Sequence, residues 1–226
     1  MKEYKKNFIT FLMQNNALKF GDFTLKSGRK SPYFLNTGML YSGAAVTELG
    51  RFYAAAIMDN LPDQFNVVFG PAYKGIPLAV GCVYALYEKF NQSADYTFNR
   101  KEAKDHGDTG LLVGKKLTAE DRLVIVDDVI TAGTAVRETL EILAKEGNPK
   151  ISAVVVSVDR MEKGTGEKSA IQELNESTGI RFVAIATIKD IIEYLTIHPQ
   201  LEISGLKSAE LVTRMEEYRR SYGVDY

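Results

Sequence analysis

Residues 123–135 read LVIVDDVITAGTA. Four apolar residues, Leu123 to Val126, run into two adjacent carboxylates, Asp127 and Asp128, and then into small and hydroxyl-bearing residues. The apolar run predicts a buried strand over 122–127. A helix is predicted over 134–146, with Val136, Leu140 and Leu143 on one face and Gly147 as its stop. The loop between them then falls at the C-terminal edge of a sheet, where backbone N–H groups and the first helical turn make an anion site. Gly133 permits a tight path and close ligand approach, and Thr131 and Thr134 add hydroxyl donors.

Outward from this junction the chain keeps alternating. A helix is predicted over 2–16, and FTLKSGRKSPYFLNTG (23–38) reads as strands joined by a turn. Helices follow at 43–60 and 75–90, separated by the buried-strand pattern NVVFG (66–70). DYTFN (95–99) is another strand, and RKEAKDHGDTG (100–110), polar and Gly-bearing, reads as a mobile loop. Beyond the opening stretch come strand 151–158, helix 168–178, strand 181–188, and helices near 189–195 and 207–221. This order predicts an α/β fold: a mainly parallel twisted sheet with helices on both faces. In such sheets ligands bind at the C-terminal ends of strands. One domain over 1–226 is expected, with 1–40 and part of the C-terminus forming a small hood subdomain.

Composition narrows the function. Of 226 residues, 45% are hydrophobic, enough for one substantial core. With 28 basic and 29 acidic residues the net charge is −1, which does not ask for nucleic acid or an anionic membrane. The single cysteine, Cys82, excludes an internal disulfide framework, and two histidines, His106 and His198, leave little for a His-based metal centre. The N-terminus lacks a long apolar core, and no run of about 18 apolar residues occurs. The expectation is a cytoplasmic protein.

A phosphate monoester suits the loop after Asp128, but carboxylates repel phosphate. Strand neighbours point to opposite faces, so at least one of Asp127 and Asp128 can accept from neutral hydroxyls beside the phosphate. A ribose 5-phosphate offers that combination, and a carboxylate near the sugar favours positive charge at the anomeric carbon. A Walker B strand would need a partner G-x-x-x-x-G-K-[ST], which is missing. GTGEKS (164–169) is a broken glycine motif and reads as a loop. FGPAYKGIP (69–77) is a second strand–loop–helix junction, its turn shaped by Gly70, Pro71 and Gly75, with Lys74 as a cation. VSVDRMEKG ends strand 151–158 with Asp159 and Arg160. A forked guanidinium there suits a planar carboxylate.

VIVDDVITAGTA closely resembles the phosphoribosyl-pyrophosphate (PRPP) motif of type I phosphoribosyltransferases. From FTLKSGRKSPYF to VSVDRMEKG the chain is similar to the members of that family that use orotate. The resemblance implies PRPP binding by Asp127, Asp128, Val129, Ile130, Thr131, Ala132, Gly133, Thr134 and Ala135. It implies pyrophosphate contacts from Tyr73 and Lys74, and from Arg100, Lys101, Lys104 and His106 on a catalytic loop that reaches the neighbouring subunit's active site, hence a homodimer. Lys26 would lie near PRPP and the base. Phe34, Leu35, Thr131 and Arg160 would contact orotate. Leu35 stands where many relatives have a second aromatic. Lys74, Lys104 and Asp128 are the expected catalytic residues, and Mg²⁺, carried mainly on pyrophosphate, ribose hydroxyls and water, is the implied cofactor. The implied reaction is orotate plus PRPP giving orotidine 5′-monophosphate and pyrophosphate, a step of pyrimidine biosynthesis. Transfer to another base and a non-catalytic PRPP-sensing regulator are the alternatives. Lys26 with Arg160 argues against the first, and the cationic loop argues against the second.

Overall fold

The computed structural model of the chain describes all residues except Lys26, 105–109, Thr131, Ala132 and Thr165, and only the backbone of Ala103 and Lys104. The elements, in chain order, are α1 (Glu3–Gln14), β1 (Leu18–Thr24), β2 (Lys30–Leu35), a 3-10 turn (Thr37–Met39), α2 (Gly43–Asn60), β3 (Val67–Gly70), α3 (Gly75–Phe90), β4 (Asp95–Lys104), β5 (Gly110–Gly114), β6 (Arg122–Asp127), α4 (Thr134–Lys145), β7 (Lys150–Asp159), α5 (Ala170–Thr178), β8 (Phe182–Thr187), α6 (Ile188–Ile197), β9 (Glu202–Ile203), β10 (Leu206–Lys207) and α7 (Ser208–Tyr222). They fall into two units. One comprises Met1–Tyr41, Val158–Ser169 and Ala186–Tyr226; the other comprises Ser42–Ser157 and Ala170–Ile185. Among the described residues no helix is long and apolar enough to cross a membrane.

The larger unit is built on a six-stranded sheet of order β5-β4-β3-β6-β7-β8. β3 pairs in parallel with both β4 and β6, and β6 with β7, while the edge strand β5 runs antiparallel to β4. The parallel strands are continuous apolar runs, VVFG and LVIV, as burial on both faces requires. Val67, Phe69, Leu123, Ile125, Val154 and Val156 of the strands form one core with Val136 and Leu143 of α4 and Leu174 of α5. The chain leaves β3 toward β4 and returns on the other side of β3 as β6. The order of strands therefore reverses between β3 and β6, the place where open α/β sheets bind ligands.

At this edge of the sheet two features differ from the sequence expectation. Residues 100–104 extend β4 rather than forming a loop, and β5 is an added strand. RKEAK shows no apolar alternation, because this part of the ladder lies at a sheet edge, where charged residues are tolerated and block pairing with another chain. The pairing slips between Asn99 and Lys104, so the extension is an irregular hairpin. The expected mobile loop over 105–109 lies outside the described residues.

In the smaller unit β1 and β2 pair as an antiparallel hairpin. Phe8, Ile9 and Leu12 of α1, Tyr33 of β2, and Leu211 and Met215 of α7 are buried. α6 begins with a capping box: the Thr187 hydroxyl accepts from the Asp190 N–H, and the Asp190 carboxylate accepts from the Thr187 N–H at 2.7 Å.

Candidate active site

The larger unit brings two strand–loop–helix junctions to adjacent strands. At the first, β3 ends at Gly70 and α3 begins at Gly75, with Lys74 as its N-cap. The turn requires two glycines: a Cβ on Gly70 would lie 2.0 Å from the Gly75 carbonyl oxygen, and one on Gly75 would lie 2.6 Å from the Gly70 carbonyl carbon. Asn99 of β4 braces the loop, its Oδ1 accepting from the Ala72 N–H at 3.0 Å. The Ala72–Tyr73 peptide is cis. Tyr73 and Lys74 are exposed, and Lys101 Nζ stands 5.4 Å from the Tyr73 ring centroid.

At the second junction β6 ends at Asp127 and α4 begins at Thr134. Gly133, the N-cap, has φ +75°, a conformation that a side chain would strain, and an added Cβ would also meet Leu174 Cδ1 at 2.9 Å. Thr134 and Ala135 are exposed, whereas Ile130 packs against the core.

The helices at these junctions share one property. Neither α3 nor α4 has a side-chain cap or an acidic residue in its first turn. By contrast, Ser42 caps α2 at 3.1 Å and α6 has its capping box. The positive dipole ends of α3 and α4 therefore stand at neighbouring strands and attract anions. At α3 the Gly75 and Ile76 N–H groups are taken by the Pro71 and Tyr73 carbonyls, at 2.9 and 3.3 Å, so the dipole and Lys74 supply that attraction.

The two carboxylates are distinguished by their partners more than by strand alternation, since β6 stops at Asp127. Asp127 Oδ1 accepts from the Asp128 N–H at 2.8 Å. Burial, with Asp128 adding like charge, raises its carboxyl from the usual 3.8 to about 6. Asp128 Oδ1 accepts from the Val129 N–H at 2.7 Å, and its Oδ2 accepts from Lys74 Nζ at 2.6 Å, joining the two junctions. The Lys74 side chain is 67% exposed, so this pair adds little stability; it holds a cation at the site. Two residues that sequence reasoning missed fix this corner. The buried Tyr53 of α2 donates to the Asp127 carbonyl at 2.7 Å, and the Ser157 N–H of β7 donates to the Asp128 carbonyl at 2.9 Å. A tyrosine within the apolar helix pattern GRFYAAA carries no signal of that bond.

In the smaller unit Phe34 is partly exposed and stacks on Phe23 across the β1–β2 hairpin, with centroids 5.5 Å apart, while Leu35 pairs with Leu18. Arg160 follows β7. Its guanidinium lies over the buried Tyr33 ring, 4.6 Å from the centroid, and donates from Nε and Nη2 to Glu162 Oε1 at 2.9 and 2.7 Å. Arg100 of the larger unit donates to the Gly110 carbonyl at 3.0 Å, within the β4–β5 hairpin. Lys26, His106, Thr131, Ala132 and the Lys104 side chain lie outside the described residues.

Among the described residues no three His, Cys, Asp or Glu side chains form a cluster able to hold a metal ion. Asp127 and Asp128, the nearest pair of hard oxygen ligands, are occupied by backbone N–H groups and Lys74.

Comparison with known proteins agrees with this geometry. A family model described as a phosphoribosyl transferase domain matches residues 36–188. The orotate phosphoribosyltransferase of Clostridium botulinum (strain Alaska E43 / Type E3) is 48% identical over 226 residues, covering 99% of this chain and 100% of that protein. The one from Yersinia enterocolitica is 49% identical over 224 residues, again covering 99% and 100%. The crystal structure of the Francisella tularensis orotate phosphoribosyltransferase superposes with a TM-score of 0.83 at 36% identity, covering 96% of this chain and 100% of that one.

Proposed function

Since this chain belongs to the orotate phosphoribosyltransferase family, we infer that it transfers the 5-phosphoribosyl group of PRPP to orotate, giving orotidine 5′-monophosphate and pyrophosphate in pyrimidine biosynthesis. The observation that carries the reading is the pair of uncapped helix N-termini, α3 and α4, at adjacent parallel strands, bridged by Lys74 and Asp128. One anion site would serve a simple phosphate ester. Two, with carboxylates beside them, suit a sugar phosphorylated at both ends.

The residues divide the work as follows. The 129–135 loop and the start of α4 hold the 5-phosphate. Asp127 and Asp128 accept from the ribose hydroxyls and favour the positive charge that grows at C1 as pyrophosphate leaves. Lys74 and the α3 terminus take the departing pyrophosphate, with Lys74 exchanging Asp128 for it; Tyr73, Arg100, Lys101, Lys104 and His106 complete that contact. Arg160 pairs with the orotate carboxylate, while Lys26, Phe34, Leu35 and Thr131 border the base. The orotate nitrogen attacks C1 from the face opposite pyrophosphate, and exclusion of water keeps the activated sugar for the base. Mg²⁺ bound with PRPP would supply positive charge to offset that of the leaving group, and no residue of this chain is assigned as its ligand.

The chain works as a homodimer, each 100–110 segment serving the other subunit. Val80, Tyr84 and Tyr87 of α3 support this: spaced i, i+4, i+7, they share one helix face, and Tyr84 and Tyr87 are 63% and 66% exposed. An aromatic stripe this bare calls for a protein partner. The direct test follows orotidine 5′-monophosphate formation from orotate and PRPP, with and without Mg²⁺. Product that depends on Mg²⁺ is expected, and no product under either condition would overturn the reading.

A further inference from the structure

We propose that Glu162 and Tyr33 form a clamp that aims the Arg160 guanidinium, making Glu162 a positioning residue for orotate binding; the proposal rests on Arg160 as the reader of the orotate carboxylate. Three donors converge on one oxygen. Glu162 Oε1 accepts from Arg160 Nε at 2.9 Å, from Arg160 Nη2 at 2.7 Å and from the Tyr33 hydroxyl at 2.7 Å. The same Tyr33 ring lies under the guanidinium plane at 4.6 Å, so Tyr33 fixes both the face of Arg160 and the acceptor at its edge. Because a guanidinium is planar and rigid, fixing one face and one edge fixes the direction of its remaining donors.

The clamp is itself anchored. Tyr33 is fully buried and meets Tyr218 of α7 edge-on, at 6.0 Å. Around Glu162 the backbone is tied to the C-terminal segment: the Lys163 N–H donates to the Tyr222 carbonyl at 2.8 Å and the Val224 N–H to the Met161 carbonyl at 2.9 Å. Arg29, from the β1–β2 turn, donates to the Lys163 and Gly164 carbonyls at 3.0 and 3.2 Å, and its Nη1 lies 3.9 Å from Glu162 Oε2. Glu162 thus sits between two arginines, held by Tyr33.

A carboxylate beside Arg160 has two opposing effects on a carboxylate ligand. It repels the ligand's charge, and it pre-aims the guanidinium that receives it. Geometry favours aiming, because the Glu162 bonds use the Nε–Nη2 edge and leave the outer edge of the fork for a bidentate ligand. A loosely held arginine, in contrast, must be ordered at each binding event.

The test measures steady-state KM for orotate and for PRPP, with thermal unfolding midpoints, in Glu162→Ala, Glu162→Gln, Tyr33→Phe and Arg160→Lys. Glu162→Ala should raise the orotate KM about tenfold and leave the PRPP KM within about twofold. Glu162→Gln, which keeps an acceptor oxygen, should recover most of that loss, and Tyr33→Phe, which keeps the ring alone, should fall between. A lower orotate KM in Glu162→Gln would mean that repulsion dominates and would overturn the clamp. Equal rises in both KM values with a lowered midpoint would reduce Glu162 to a structural role and overturn it as well. If Arg160→Lys raises the orotate KM while the other three variants do not, the clamp fails and the reading of Arg160 survives. If Arg160→Lys leaves the orotate KM unchanged, that reading fails and the clamp with it.

Discussion

Asp127→Asn separates the cost of the buried carboxylate from its use. Folding raises the Asp127 carboxyl from 3.8 to about 6, chiefly by burial. The folded chain therefore holds a proton that the unfolded chain has released anywhere between those values. Stability from this group is intact below 3.8, declines as pH rises through the window, and is fully lost above about 6. A gap of about two pH units corresponds to roughly 3 kcal/mol. Asparagine keeps the oxygen that accepts from the Asp128 N–H and carries no charge. At pH 8 the Asp127→Asn protein should therefore be up to about 3 kcal/mol more stable than the parent, and at pH 4 the two should coincide. Urea unfolding of both proteins at four or five pH values measures this directly. The same substitution should lower kcat/KM for PRPP at pH 8 by about 10- to 100-fold, because a hydroxyl acceptor facing the sugar has lost its charge. The parent's kcat/KM should fall below about pH 6 in a step that the variant lacks. A variant less stable at pH 8, or a difference that does not change with pH, would refute the burial argument.

Gly70→Ala drives a methyl into the Gly75 carbonyl and should cost about 3 kcal/mol in urea unfolding; a loss under ~0.5 kcal/mol would show that the β3–α3 turn can relax. Lys74→Ala should lower kcat about 100-fold with little change in unfolding free energy, since its pair with Asp128 is exposed; an unchanged kcat would remove Lys74 from pyrophosphate departure. Tyr84→Asp with Tyr87→Asp should convert the dimer to monomer in analytical ultracentrifugation and abolish turnover, and a stable active dimer would place the subunit contact elsewhere. Mixing inactive Lys104→Ala with inactive Asp128→Asn subunits should restore part of the activity, because one mixed site keeps both residues; no recovery after proven subunit exchange would contradict the shared site.

Much of this architecture is legible in the sequence where burial is two-sided. NVVFG and LVIV can only be interior strands. α2 and α3 run over 43–60 and 75–90 as their periodicity indicates, because Ser42 caps one and the Gly70–Gly75 turn launches the other. Legibility fails at the edges. GLLVG pairs with residues 97–99, and within RKEAK only Lys104 has a ladder partner, Gly110; so irregular an edge ladder leaves no pattern in side chains. The site shows the same division. Gly133, Lys74 and the paired aspartates announce themselves by local chemistry. Tyr53, Asn99 and Tyr33 act through bonds to residues 74, 27 and 129 positions away, and no local motif encodes them. Glu162 was visible two places after Arg160, but only the arrival of Tyr33 gives it a role.

Pyrophosphate release from PRPP and Mg²⁺, measured with orotate, uracil and adenine in turn, tests the whole account most directly. Release with orotate alone is predicted, because only orotate brings a carboxylate to Arg160; release with uracil or adenine and none with orotate would contradict it.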